Sequence, residues 1–327
     1  MQQKIDISQI KEKLKIACNA ILSPGDFHPA LAPAINDYAS MLFQLTNINS
    51  ENEEQRTDIF THTGKAIGPF WAAACVREVL RTQRFCRGLY TAVKDCLAKK
   101  ETTKPIQVIY AGTGPLAALA IPTMMQFSPD QVQFTLLEIN PVSYAKLQQL
   151  LTILDLNAYV KEFVLADAAI WKVTDTADIV VSETMNGGLR NEPQIAIMLN
   201  LASQLPENTL LIPQEITVAL ATPRKENKPL LLKELGRFNK TSYREIIAGS
   251  NADKWSFKEI IYEPDHEKIA QHLVLTTDIT VYKSNKLNYN DCSLTLPYKV
   301  KGDFSEAKTL RFAYRMGEQT GFSVCAG

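Results

Sequence analysis

Between Ile106 and Pro213, short apolar runs alternate with segments of helical period, and this alternation constrains the fold more than any other feature of the chain. Ile106 to Tyr110, Phe134 to Ile139, Tyr159 to Leu165, Ala177 to Ser182 and Leu210 to Ile212 read as strands. Leu116 to Gln126, Ser143 to Leu154 and Asn191 to Leu205 read as helices between them. Repeated strand–helix–strand units require right-handed crossovers and a parallel sheet covered on both faces. The predicted fold is therefore α/β, with a doubly wound, mostly parallel sheet.

The flanks differ from this centre. Ser8 is placed to cap a helix from Gln9 to about Leu22, with Ile10, Leu14 and Ala17 on one face and Pro24-Gly25 as its stop. A second helix is predicted from Ala30 to Leu45, and helical spacing resumes from Pro69 to Lys99. After Pro213 the period becomes two: Ile216 to Ala221, Leu273 to Val281 and Leu310 to Tyr314 read as strands of an antiparallel, barrel-like domain. Three regions follow: N-terminal helices over 1–100, a ligand-binding α/β domain over 101–213, and a β-barrel-like substrate or dimerisation domain over 214–327.

Composition narrows the function classes. Lys+Arg and Asp+Glu both number 35, so no basic excess points to nucleic acid or an anionic membrane. No apolar stretch reaches the ~20 residues of a membrane helix, and Met1 to Lys15 is too polar for a secretory leader. Six cysteines form no CxxC pair; Cys75, Cys86 and Cys96 lie in a helical pattern and read as buried free thiols. A cytoplasmic setting is expected. The four histidines are scattered, and no metal site is expected.

The first strand ends in Tyr110-Ala111-Gly112-Thr113-Gly114-Pro115. Glycines there permit a tight turn and close approach of a ligand, although a strand-to-helix turn alone accounts for them equally well. The second strand ends in Glu138, 24 positions beyond Gly114, where a carboxylate accepts from both hydroxyls of a ribose. Asp167, at the end of the third strand, suits an adenine amino group or, alternatively, caps a helix over 168–172. The third glycine of a dinucleotide fingerprint is missing, since Pro115-Leu116-Ala117 follows Gly114. A pyrophosphate needs that close backbone approach, whereas S-adenosylmethionine carries no phosphate. The pattern favours S-adenosylmethionine over NAD.

The fourth strand runs into Ser182-Glu183-Thr184-Met185-Asn186-Gly187-Gly188-Leu189-Arg190-Asn191-Glu192. Two glutamates nine apart frame a glycine-containing loop at the sheet's C-terminal edge. Paired carboxylates suit the planar N–H fork of a guanidinium. The alternative is separate roles, with Glu192 at a helix start and Glu183 at the ligand edge.

In these residues the chain resembles the protein arginine methyltransferase family, whose "double-E" loop has this spacing. Arg81-Thr82 is similar to an arginine–threonine pair of that family, and the resemblance implies that Arg81 contacts the carboxylate of S-adenosylmethionine. Leu211-Ile212-Pro213, the strand from Ile216, Lys258 to Tyr282 and Gly317 to Ser323 resemble the family's barrel, so the likeness runs over about 58–327. Three departures stand beside it. Tyr110 occupies the place of an aspartate, Asp58 to His62 lacks the family's tyrosine pair, and no Thr-His-Trp triplet occurs to line an arginine pocket.

The resulting expectation is a class I S-adenosylmethionine-dependent N-methyltransferase. Glu183 and Glu192 are the catalytic candidates; Arg81, Gly112, Gly114, Glu138 and Asp167 are the cofactor-binding ones. The leading substrate is a small guanidine or amine, and residues 1–57 are expected either to form a helical lid over the pocket or simply to pack on the sheet. The alternatives are a peptidyl arginine, or a non-catalytic cofactor-binding scaffold subunit. Phe60, Phe70, Trp71 and Tyr90 are candidates for the cavity or for the core, and the polar stretch Lys233 to Lys254 is either an arm for a homodimer or a surface insertion.

Overall fold

The computed structural model describes residues 6–25, 29–100, 103–224, 228–250, 255–263, 273–302, 304 and 307–327. Helices α1 (Ile7–Leu22) and α2 (Leu31–Thr46) come first. Asp6, not Ser8, caps α1: its carboxylate accepts the N–H of Ser8 at 3.0 Å and of Gln9 at 3.2 Å. Ile10, Leu14 and Ala17 form the buried face as the period predicts. A hairpin of β1 (Ile59–Thr61) and β2 (Gly64–Ala66) follows. The helical stretch after it is broken: α3 (Pro69–Ala74) gives way to a 3-10 turn at Cys75–Arg77, and α4 (Val79–Lys99) starts afresh. That break places Arg81 in the first turn of a helix.

The central sheet contains β3 (Ile106–Ala111), β4 (Val132–Glu138), β5 (Val160–Leu165), β6 (Ile179–Ser182) and β7 (Leu210–Ile212). Its order is β5-β4-β3-β6-β7, and every pairing is parallel. The inner strands read as continuous apolar runs because both faces are covered; Val108, Phe134, Leu136 and Val180 are fully buried. The edge strand β5 is more exposed and carries Lys161 and Glu162. Strand order reverses between β3 and β6, and open α/β sheets bind ligands beyond the strand ends at such a switch point.

The crossovers contain α5 (Ile121–Met124), α6 (Pro141–Ile153) and α7 (Gln194–Gln204). The first is not the helix expected over Leu116–Gln126. Ala117 takes a left-handed φ of +43°, Pro122 lies within α5, and only one helical turn forms. Turns fill the rest, tied down where Tyr38 Oη donates to the Ala118 carbonyl at 2.7 Å.

Beyond the central sheet, β8 (Glu215–Thr222), β9 (Leu230–Asn239), α8 (Lys240–Ala248) and β10 (Ile260–Tyr262) precede β11 (Val274–Tyr282), β12 (Asn285–Leu287), β13 (Tyr298–Lys299), β14 (Leu310–Arg315) and β15 (Gly321–Ala326). One antiparallel sheet has the order β12-β11-β8-β9, with β13 also on β11; the other is β10-β14-β15. Among the described residues they do not close into a barrel. Rings of Phe238, Phe257, Tyr314 and Phe322 join them, with centroids 5.0–6.5 Å apart. The stretch expected as a dimer arm is part of this fold. Its residues 233–239 pair with β8, and α8 buries Tyr243 against Phe238; residues 251–254 lie outside the described residues. No helix among the described residues is long and apolar enough to cross a membrane.

Candidate active site

One cavity opens at the switch point, and all seven candidate residues line it: Arg81, Gly112, Gly114, Glu138, Asp167, Glu183 and Glu192. The β1–β2 hairpin, the 3-10 turn and the start of α4 close its other side through Thr61, Lys65, Cys75 and Thr82. Phe60, Phe70, Trp71 and Tyr90 are not among the lining residues. Phe60 and Trp71 face outward, Phe70 packs on Phe43, and Tyr90 stacks on Phe127. No described residue before Thr61 lines the cavity, so α1 and α2 pack on α4, α5 and α6 rather than forming a lid.

Backbone builds one half of the cavity. Gly112 has φ +74° and Gly114 φ +59°, left-handed values that disfavour a side chain. A Cβ on Gly112 would lie 2.2 Å from Thr184 Cγ2, whereas one on Gly114 would meet only Ala72 at 3.5 Å. Glu138 is buried, and its Oε1 accepts the Asn140 N–H at 2.8 Å. Burial pushes its carboxyl up to about 7, against hydrogen bonds from the N–H groups of Asn140, Gly114 and Ile139 and from the Thr113 side chain. Asp167 is half-buried; its Oδ1 accepts the Ala169 N–H at 2.8 Å, capping a turn where a helix over 168–172 was the alternative. Tyr110, in the family's aspartate position, is buried in the cavity wall.

Charged side chains build the other half. The Arg81 guanidinium is buried and donates from Nε to Glu183 Oε2 at 3.0 Å, and from Nη2 to Oε1 at 2.9 Å and Oε2 at 2.7 Å. Its Nη1 donates to Glu78 Oε1 at 2.7 Å, and Glu78 also accepts from the Ser293 backbone and hydroxyl, both at 2.7 Å. Burial raises the Glu183 carboxyl while Arg81 opposes the rise, and the bidentate geometry identifies an ionised pair. Glu192 differs. Its carboxyl has no hydrogen-bond or ion-pair partner among the described residues, and burial, assisted by the Glu183 charge, pushes it up to about 7.

The loop from Glu183 to Glu192 is held from several directions. It turns through Gly187–Leu189, where Gly188 (φ +70°) donates its N–H to Thr277 Oγ1 at 2.8 Å. The Arg190 guanidinium stacks 3.4 Å from the Tyr298 ring centroid. Asn191 receives the Lys65 N–H on its carbonyl and gives its own N–H to the Thr320 carbonyl, both at 2.7 Å. Thr320 Oγ1 in turn donates to the Thr63 carbonyl at 2.6 Å, so the β14–β15 turn and the β1–β2 hairpin grip the loop together. Glu78, Thr184, Gln194, Ser293 and Thr320 escaped the reading of the sequence. Thr184 and Thr320 lie within quoted motifs, and Glu78 and Gln194 stand two or three residues from one, but none was given a role; Ser293 lies near no motif.

Residues 79–196, from the start of α4 to the start of α7, match the family model described as PRMT5 arginine-N-methyltransferase. The chain is an S-adenosylmethionine-dependent methyltransferase resembling the protein arginine methyltransferases. The fold of this methyltransferase is similar to that of the Trypanosoma brucei PRMT1 enzyme-prozyme heterotetrameric complex with AdoHcy, at 12% identity and a TM-score of 0.48 over 73% of this chain and 86% of that one. It is also similar to Arabidopsis thaliana protein arginine methyltransferase 10, at 10% identity and a TM-score of 0.48 over 73% and 85%. No curated protein matches the chain.

Proposed function

We propose that this methyltransferase transfers a methyl group to a guanidinium nitrogen of an arginine side chain in a protein or peptide. The observation that carries this reading is the arrival of Glu183 and Glu192 in one cavity with Gly112, Gly114 and Glu138. Two further observations favour a peptidyl arginine over the small guanidine or amine that the sequence put first. The matching family model is of an arginine-N-methyltransferase. The described residues before Thr61 form no lid that would make the cavity a small-molecule pocket, because none of them lines it.

The cradle fits S-adenosylmethionine. The glycine turn leaves room at the backbone, and the buried Glu138 carboxyl can accept from ribose hydroxyls. Asp167 stands at the next strand end for the adenine amino group. When bound, the cofactor supplies a methyl group on a sulfonium, which reacts by in-line displacement. Arg81 has its guanidinium committed to Glu183 and Glu78, so holding the cofactor carboxylate requires it to share or release a partner. Release from Glu183 would free that carboxylate for an incoming guanidinium.

Glu183 and Glu192 then pair with two nitrogens of the acceptor and draw its positive charge toward them. The third nitrogen keeps more of its lone pair and is held in line with the methyl group. The acceptor enters as a cation and leaves as a methylated cation, so one proton must depart. Glu192, whose carboxyl has no partner among the described residues, is placed to receive it.

The test is transfer of labelled methyl from S-adenosylmethionine to a panel of arginine peptides, free arginine and small guanidines. Labelling of peptidyl arginine, abolished in Glu192→Gln, is expected. Labelling confined to the free compounds would return the substrate to the small-molecule class.

A further inference from the structure

The loop that carries both glutamates is closed at its neck by one side chain. Gln194 is the first residue of α7, two residues beyond Glu192, and is fully buried. Its Oε1 accepts the Thr184 N–H at 2.9 Å and the Thr184 hydroxyl at 3.1 Å. Its Nε2 donates to the Ser182 carbonyl at 3.2 Å. Ser182 and Thr184 flank Glu183, and their own hydroxyls lie 3.1 Å apart. One amide thus grips the chain on both sides of the first glutamate from a point two residues past the second. Thr184 also abuts Gly112, since a Cβ there would lie 2.2 Å from its Cγ2.

We infer that Gln194 is a positioning residue for methyl transfer, fixing Glu183 against both Glu192 and the glycine turn that receives the donor; this rests on the arginine-methyltransferase reading above. The chemistry requires an amide. The acceptor oxygen serves the half-buried Thr184 at the cavity wall, and the donor nitrogen serves the fully buried Ser182 carbonyl. Asparagine is one methylene short, and methionine of similar length leaves the Thr184 N–H and the Ser182 carbonyl unpaired. A protonated glutamic acid reproduces the pattern, its O–H replacing the N–H, whereas the carboxylate cannot donate to Ser182.

The test compares the wild type with Gln194→Met and Gln194→Glu. For Gln194→Met, kcat on an arginine peptide is expected to fall by about 100-fold, the scale of a misplacement near 1 Å. S-adenosylhomocysteine affinity should stay within about threefold, because Gly114 and Glu138 are untouched. For Gln194→Glu, the rate relative to wild type should be close to one at acidic pH and decline as the new carboxyl ionises. The Gln194→Met ratio should not change with pH. A residue that merely stabilises the fold would lower the melting temperature without this pH-linked difference. A Gln194→Met kcat within threefold of wild type overturns the inference.

Amide exchange at Thr184 is read on the same proteins and needs no substrate. It should be about tenfold faster in Gln194→Met, with β3 and β4 unaffected, as expected for loss of about 1.4 kcal/mol of local protection. Equal exchange overturns the clamp even if no peptide is methylated. Absence of methylation by the wild type, with exchange changed, defeats the substrate reading alone.

Discussion

The two halves of the cavity are made of different materials. The half proposed for the donor is mostly backbone: two glycines at left-handed φ, and strand ends carrying Glu138 and Asp167. The half proposed for the acceptor is mostly charge: Glu183 forked onto Arg81, and Glu192 without a partner among the described residues. A backbone site keeps its shape whatever its occupancy. A carboxylate site is stable only when its charges are answered, and here a resident arginine answers one of them. Arg81 occupies Glu183 much as an acceptor guanidinium would. On the proposed reading, donor and acceptor would be bound by separate elements that meet at Glu183 and Thr184.

The strongest break between the halves comes from Glu192→Gln. Turnover should fall by about 100- to 1,000-fold, the scale for removing one preorganised electrostatic group, while S-adenosylhomocysteine affinity by calorimetry stays near wild type. Glu183→Gln should lose as much activity and also stability, because Arg81 is left buried with half its pairing gone. Deleting one partner of a buried pair costs about 3–5 kcal/mol, so its chemical-denaturation midpoint should drop where that of Glu192→Gln does not.

Gly112→Ala strikes the donor half. A left-handed alanine costs about 1–2 kcal/mol before the contact with Thr184 is counted, so cofactor affinity should weaken by about tenfold or more. Unchanged affinity would show that the turn does not receive the donor.

Titration acts on both halves with the same sign. Glu138 and Glu192 are both pushed up to about 7 in the folded chain, against an ordinary carboxyl near 4.5. Between those values the folded state holds more protons than the unfolded one, so stability falls as pH rises from about 4.5 to 7 and then levels. Glu192→Gln should remove its share of that slope and raise the melting temperature at pH 8 by on the order of 2 °C. The smallest effect is expected from Asp167→Asn. This residue is half-buried and already spends Oδ1 on Ala169, so cofactor affinity should weaken by only about threefold.

What was legible in the sequence follows the same division. The central strands stood out because a parallel sheet buried on both faces demands apolar runs such as Ile179 to Val181. Gly112, Gly114 and Glu138 stood out because their positions relative to strand ends are local. The first crossover did not, because its apolar spacing is helical while Ala117 and Pro122 allow a single turn. The Arg81–Glu183 fork spans 102 positions, and no short pattern records a contact so distant. Gln194 looks like any polar residue at a helix start until Ser182 and Thr184 are seen beside it. The period-two segments announced antiparallel strands, but whether they close into a barrel depends on register and edges that alternation does not encode.

The central claim is that Glu183 and Glu192 together hold a guanidinium beside the donor methyl. Single-turnover transfer of labelled methyl to an arginine peptide, with wild type and Glu192→Gln loaded to equal cofactor occupancy, tests it most directly. The account expects label on a guanidinium nitrogen and a rate at least about 100-fold slower in the variant. Equal rates in the two proteins, or label on a residue other than arginine, would contradict it.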